Sequence, residues 1–183
     1  MPKLTADQKR QIQHLPPEVK DKIILKWAGR DRLFFEFLYI TYMNPDFGAE
    51  DLLEIYKEEL RGLQSKVFPG RSEAMRRMRL LRTSLKLITQ FRKTVKQPHL
   101  EVELYLYVLD FHFEKAEHYL GTGYYVYDNN IAKTVGKVIH MIQDKLHEDY
   151  LLEYKEKVNN YLTSLRRFST FNTKVRELPI SLD

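Results

Sequence analysis

The chain reads as an all-α protein, and three features of its sequence predict this. Apolar residues recur at helical spacing: Ile131, Val135, Val138, Ile142, Leu146, Tyr150, Tyr154, Val158, Tyr161, Leu165 and Phe168 advance in ten steps over 37 residues, or 3.7 per step. That is the period of an ordinary helix rather than of a coiled coil. Only seven Gly and seven Pro occur in 183 residues, too few for a turn-rich β architecture. Those that do occur fall mostly between periodic segments, where they act as punctuation. The expected architecture is a single-domain bundle of about six or seven helices spanning 1–183. Short N-terminal helices would lie within 5–28, a bundle within 31–170 and a frayed tail at 177–183.

The elements follow in order. Thr5-Ala-Asp-Gln8 has the form of a capping box, which opens a short helix that Pro16-Pro17 forbids from continuing. A second helix over about 18–28 ends at Gly29. The third, about 31–43, carries Phe34, Phe35, Phe37, Tyr39 and Tyr42, a density of aromatics that predicts burial. Asn44-Pro-Asp-Phe-Gly48 is a turn by composition. Glu50 and Asp51 suit the positive start of a fourth helix, which runs to about Leu63. Ser72 follows Pro69-Gly70 as an N-cap for a long helix reaching about Gln97. Pro98 breaks the chain, and another helix extends to Leu120. Gly121 to Asp128 has the only strand-like loop composition. One long helix over 131–168, or two joined near His147-Glu-Asp149, completes the bundle.

Composition bounds function. With 43% hydrophobic and 30% charged residues the chain is globular rather than disordered. It contains no cysteine, which excludes disulfides, thiolate metal sites and cysteine nucleophiles and fits a reducing compartment. The first residues are polar, without the apolar segment of a signal peptide. No charge-free stretch approaches the roughly 18 residues of a membrane span. A cytoplasmic protein with no membrane partner is therefore expected.

Charge is unevenly placed. Residues 71–97 hold nine basic residues against one acid, a net charge of +8 in a chain whose total is +5. At 100° per residue, Arg79, Arg82, Lys86 and Lys93 share one stripe, with Leu81, Leu85, Ile88, Phe91 and Val95 elsewhere on the helix. A basic stripe is an electrostatic footprint for phosphate backbones. The next helix offers an acidic stripe, Glu103, Asp110, Glu114 and Glu117. If the chain reverses at Pro98 into a long antiparallel helical hairpin, Arg79–Glu117, Arg82–Glu114, Lys86–Asp110 and Lys93–Glu103 face one another. The stripe would then be neutralised internally, leaving Arg71, Arg76, Arg77, Arg92, Lys96, Arg166 and Arg167 as the nucleic-acid-binding candidates.

Other chemistry finds less support. Glu114 with His118 and Asp144 with His147 could each share a helix face, a candidate divalent-metal set. The Glu-x-x-His pairs of di-iron carboxylate bundles are absent. No Gly-x-Ser-x-Gly elbow occurs, and Gly121-Thr-Gly123 lacks the third glycine of a dinucleotide fingerprint. Pro69-Gly-Arg-Ser72 could bind an anion through backbone N–H groups and Arg71 but is not a P-loop. No cofactor is expected. The 12 Tyr and 10 Phe are the most unusual feature of the composition, and Tyr124, Tyr125 and Tyr127 form the expected partner surface. The leading expectation is a non-enzymatic helical interaction domain that binds a protein partner or itself through those tyrosines. A nucleic-acid binder using the 71–97 helix is the alternative, and a metal-dependent enzyme the second alternative.

Overall fold

The computed structural model describes residues 4–44, 46–170 and 172–182, and among these residues it is all-helical, with ten α-helices and no strand. The chain divides into two compact units, Met1–Gly48 and Ala49–Asp183.

The first unit holds α1 (Ala6–Gln13), α2 (Pro17–Ala28), α3 (Arg32–Leu38) and a π-helical segment, Tyr39–Met43. The capping box forms as the sequence predicts: Gln8 N–H donates to Thr5 Oγ1 at 3.2 Å, and Thr5 N–H donates to Gln8 Oε1 at 3.0 Å. Pro17 starts α2 at the position where a missing N–H costs nothing. The expected burial of the aromatic third helix is not found. Phe35, Phe37 and Tyr42 are exposed, and Glu36, held by Arg32 at 2.5 Å, is the only buried residue of α3. Its rings pair with near neighbours instead, Phe35 with Tyr39 at 5.7 Å and Phe37 with Tyr42 at 6.0 Å.

The second unit contains α4 (Ala49–Gln64), α5 (Glu73–Thr94), α6 (Pro98–Phe113), α7 (Ala116–Tyr119), α8 (Tyr125–Lys145), α9 (Glu148–Phe168) and α10 (Thr173–Arg176). α6 is its centre. Leu100, Val102, Leu104, Leu106, Val108 and Leu109 point in all directions around this helix and are all buried, because α4, α5, α8 and α9 pack on it from different sides. α5 is two-faced: Met78, Leu81, Ile88 and Phe91 are fully buried, and Phe91 meets Tyr56 of α4 edge-on at 5.3 Å. α8 and α9 are separate helices that meet at His147, the N-cap of α9.

Two buried polar side chains inside the unit, Arg77 and Asp128, bond to backbone at a helix end and a turn. α6 ends at Phe113, which leaves the carbonyls of its last turn without helical partners. Arg77 of α5 reaches across, donates from Nη1 to Phe111 O at 3.2 Å, and lies 3.6 Å from the Tyr119 ring centroid and 4.9 Å from that of Phe111. A cation at a helix C-terminus is favoured by the dipole as well as by the hydrogen bond. Beside it, His112 Nδ1 shares a 2.9 Å hydrogen bond with the Tyr127 hydroxyl of α8. Burial, and secondarily the charge of Arg77, push the His112 pKa down to about 3. The same burial pushes the Tyr127 phenol up.

The turn after α7 is fixed by Asp128. Its Oδ2 accepts from Gly121 N–H at 2.9 Å and from Ser169 Oγ at 2.6 Å, drawing the turn onto the end of α9. Gly121 has φ +70, and a Cβ there would stand 2.0 Å from Phe168 O. The C-terminal segment is anchored rather than frayed. Leu182 is buried and exchanges hydrogen bonds with Asn159, while Arg166 donates to the carbonyls of Leu178 and Pro179.

Two outcomes follow. Folded His112 stays neutral, whereas the unfolded chain takes up a proton below the ordinary value of 6.5. Acidification therefore removes stability from about pH 6.5 downward, by up to about 1.4 kcal/mol per pH unit until the folded pKa is reached. Denaturant melts between about pH 6.5 and 5 should show a shallower pH slope for His112→Asn than for the parent, since in that window few carboxylates interfere. Separately, Gly121→Ala should destabilise by more than about 3 kcal/mol, through strain plus overlap with Phe168 O. Gly123→Ala, at φ +86 but with open space around it, should cost only about 1–2 kcal/mol. Equal losses at the two glycines would refute the packing account.

Candidate nucleic-acid interface

The face of α5 opposite its buried residues carries Arg79, Arg82, Lys86 and Lys93, all exposed. None of the four has a carboxylate within ion-pair distance among the described residues. At 1.5 Å rise per residue they extend over about 21 Å. Between them lies an open, shallow depression lined by Arg82, Leu85, Lys86, Thr89, Gln90 and Lys93, with no acid in its wall. Arg79/Arg82 and Arg82/Lys86 are like-charge neighbours at i, i+3 and i, i+4, an arrangement that weakens a helix unless something outside it supplies negative charge.

The neutralising pairs expected from a hairpin register do not form. α5 and α6 are joined at Val95–Gln97 and pack together, and Arg92 does approach Glu101 at 3.8 Å. The acids of α6 are taken by other helices. Glu103 accepts from Lys57 of α4 at 2.6 Å. Asp110 pairs with Lys157 of α9 at 2.6 Å and accepts from the Tyr161 hydroxyl at 2.5 Å. That bond comes second to burial in raising the Tyr161 phenol pKa. Glu101 also binds Lys137 of α8 at 3.2 Å. Glu114 lies beyond the end of α6, and Glu117 sits on α7 with its neighbour His118 at 3.7 Å. Because α6 is surrounded, its acids face three partners, and the stripe on α5 is left uncovered.

The basic residues singled out from the sequence are placed differently. Arg77 is buried and occupied with α6. Arg76 is tied to Glu73 at 2.8 Å and to Gly70 O at 3.4 Å. Arg166 holds the C-terminal segment, and Arg167 leans on the Phe168 ring at 5.1 Å. Arg92 makes the long contact with Glu101 already described. Arg71 and Lys96, at the two ends of α5, are exposed. The residues expected to be neutralised, Arg79, Arg82, Lys86 and Lys93, are thus uncovered as well. The 3.6-residue period places these four on one stripe, and they stay uncovered because the α6 acids have partners on other helices.

The tyrosine surface is divided by the start of α8. Tyr125 is 63% exposed, Tyr124 is half-buried, and Tyr127 is fully enclosed, so the three rings do not share a face. The four metal candidates are likewise apart in their bonding. His147 bonds within its own cap to Asp149 at 3.1 Å, Asp144 pairs with His140 at 3.2 Å, and His118 with Glu117. Among the described residues no group of three His, Asp or Glu side chains is placed to hold a metal ion. No helix among them is long and apolar enough to cross a membrane.

No protein-family model matches the chain, and neither a curated protein nor a solved structure matches it.

Proposed function

We propose that the chain binds a nucleic-acid strand along the exposed face of α5. The observation that carries the reading is the uncovered stripe Arg79, Arg82, Lys86 and Lys93, four cations over about 21 Å with no carboxylate in the groove between them. One strand of a duplex presents about six phosphates over that axial length. The groove is shallow and lined by long, flexible side chains, which suits contact with a phosphate backbone more than base-edge readout. Arg71 and Lys96 extend the positive charge at either end. The ligand would release about four counterions, and its binding would be correspondingly salt-sensitive.

Labelled random-sequence DNA and RNA should bind the chain at low salt, with log K falling against log salt at a slope of about −3 to −4. Arg82→Glu/Lys86→Glu should reduce affinity by at least about tenfold and flatten that slope by about 2. Arg166→Gln, whose side chain holds the C-terminal segment, should leave the slope unchanged. Absence of binding at low salt, or binding indifferent to the double substitution, would overturn the reading.

A second reading rests on a separate observation. No residue of α1 or α2 is buried, and Val19, Ile23, Ile24, Leu25 and Trp27 of α2 are all exposed, with Val19, Ile23 and Trp27 in one stripe and Trp27 56% exposed. We infer that this stripe is covered by a second copy of the chain, which gives the interaction-domain expectation a location in residues 4–43 rather than at Tyr124–Tyr127. Trp27 is the single tryptophan, so its emission reports that face alone. Mass by light scattering should rise with concentration in step with a blue shift of the emission, and Ile23→Asp should abolish both. A monomeric mass with unshifted emission throughout would exclude self-association by this face.

A further inference from the structure

In the segment before α5, residues 64–68 form one wall of an open cleft of about 240 Å³ beside the first turns of the helix. Lys66, Phe68, Glu73, Arg76, Arg77 and Phe111 are among the residues that line it. The segment is held close. A Cβ on Gly70 would come within 3.0 Å of Arg76 Cγ and 3.1 Å of Arg76 N, and Arg76 donates to Gly70 O. Three cations therefore border one cleft against a single carboxylate.

Arg77 is the informative member. It is nine-tenths buried, its Nη1 is bonded to Phe111 O and its plane lies over Tyr119, yet its enclosed Nε has no hydrogen-bond partner. A buried guanidinium N–H left without an acceptor is costly, and native structures rarely leave one so. The nearest acid, Glu73 Oε1, stays 3.7 Å away, because Glu73 bonds to Arg76 through its other oxygen at 2.8 Å. Glu73 is half exposed and free to swing outward.

We propose that this cleft is a binding site for a phosphate-type oxyanion, which accepts from Arg77 Nε, Arg76 and Lys66 and displaces Glu73. A tetrahedral dianion satisfies all three donors at once, which one tethered carboxylate does not. The start of a 22-residue helix adds its own positive field. The site is independent of the stripe that begins at Arg79, and the argument holds whether or not that stripe binds nucleic acid. Two sources could supply the group: a free phosphate compound, or the terminal phosphate of a strand.

The test is titration of the full chain with inorganic phosphate, read by calorimetry and by the rise in melting temperature. Saturable binding is expected. Lys66→Gln/Arg76→Gln should weaken it by about tenfold or more, with the fold intact because both side chains lie outside the core. Glu73→Gln should tighten it, since the competing carboxylate is gone; a merely structural Glu73 predicts no such gain. Arg82→Glu/Lys86→Glu should leave it unchanged. Failure to saturate up to tens of millimolar, insensitivity to Lys66→Gln/Arg76→Gln, or loss in the stripe variant instead would each overturn the proposal. With binding established, a short oligonucleotide carrying a 5′-phosphate is compared with its 5′-hydroxyl form. A preference for the phosphorylated end that Lys66→Gln/Arg76→Gln removes identifies the strand terminus as the source, and equal affinity identifies a free phosphate compound.

Discussion

The guanidinium of Arg77 joins α5 to the end of α6, to α7 and, through the His112–Tyr127 pair beside it, to α8. α6 ends at Phe113, and the carbonyls of its last turn need donors from outside the helix. Arg77 supplies one, and Phe111 and Tyr119 cover the planar group that does so. The cation in turn makes the neighbouring imidazole harder to protonate. Two polar groups that burial would otherwise penalise are in this way tolerated together. Lysine would not substitute: a point charge on a flexible stem cannot both stack between rings and fork towards a carbonyl.

The orientation of α5 follows from that contact. With Arg77, Met78, Leu81, Ile88 and Phe91 turned inward, residues some 180° away on the wheel must face outward, and these are Arg79, Arg82, Lys86 and Lys93. The charges of the exposed face are thus set by the same rotation that seats the core. What the core does not dictate is their sign. Neutral polar side chains would satisfy solubility equally well without mutual repulsion, so the four like charges are a property of this face that the packing of α5 leaves unexplained.

Much of this was legible in the sequence, and the limits have physical causes. The capping box at Thr5, the N-cap at Ser72 and the breaks at Pro16, Pro69 and Pro98 are local features, decided within a few residues, and the helices begin and end near them. The basic stripe is equally local, since the wheel needs only the 3.6-residue period. Partners of charges are not local. Glu103 and Asp110 could be assigned to α5 only by assuming that α6 had a single neighbour, whereas its hydrophobicity on all sides already implied several. Tyr127 could not be told from Tyr125 as core or surface until the start of α8 fixed which way each pointed. The aromatic third helix misled for a related reason: ring density predicts burial only where another element is present to cover the rings.

The allocation of acids completes the electrostatic argument. Glu101, Glu103 and Asp110 each serve a lysine from a different helix, Lys137, Lys57 and Lys157, and so brace α8, α4 and α9 against the central helix. Lys57 illustrates the balance: burial alone would lower its pKa, yet the bonds to Glu103 and Glu54 outweigh it and raise the value. Glu103 and Asp110 are committed to α4 and α9, and of the α5 cations only Arg92 reaches an α6 acid, Glu101, at 3.8 Å. An excess of positive charge on α5 therefore arises from the way a surrounded acidic helix distributes its partners, and not from the modest net charge of the chain. The same logic isolates Glu73, the one acid α5 possesses, between Arg76 and Arg77. A single carboxylate shared by two guanidinium groups, one of them buried with an N–H still unmet, leaves the start of α5 short of negative charge in the direction that the cleft opens.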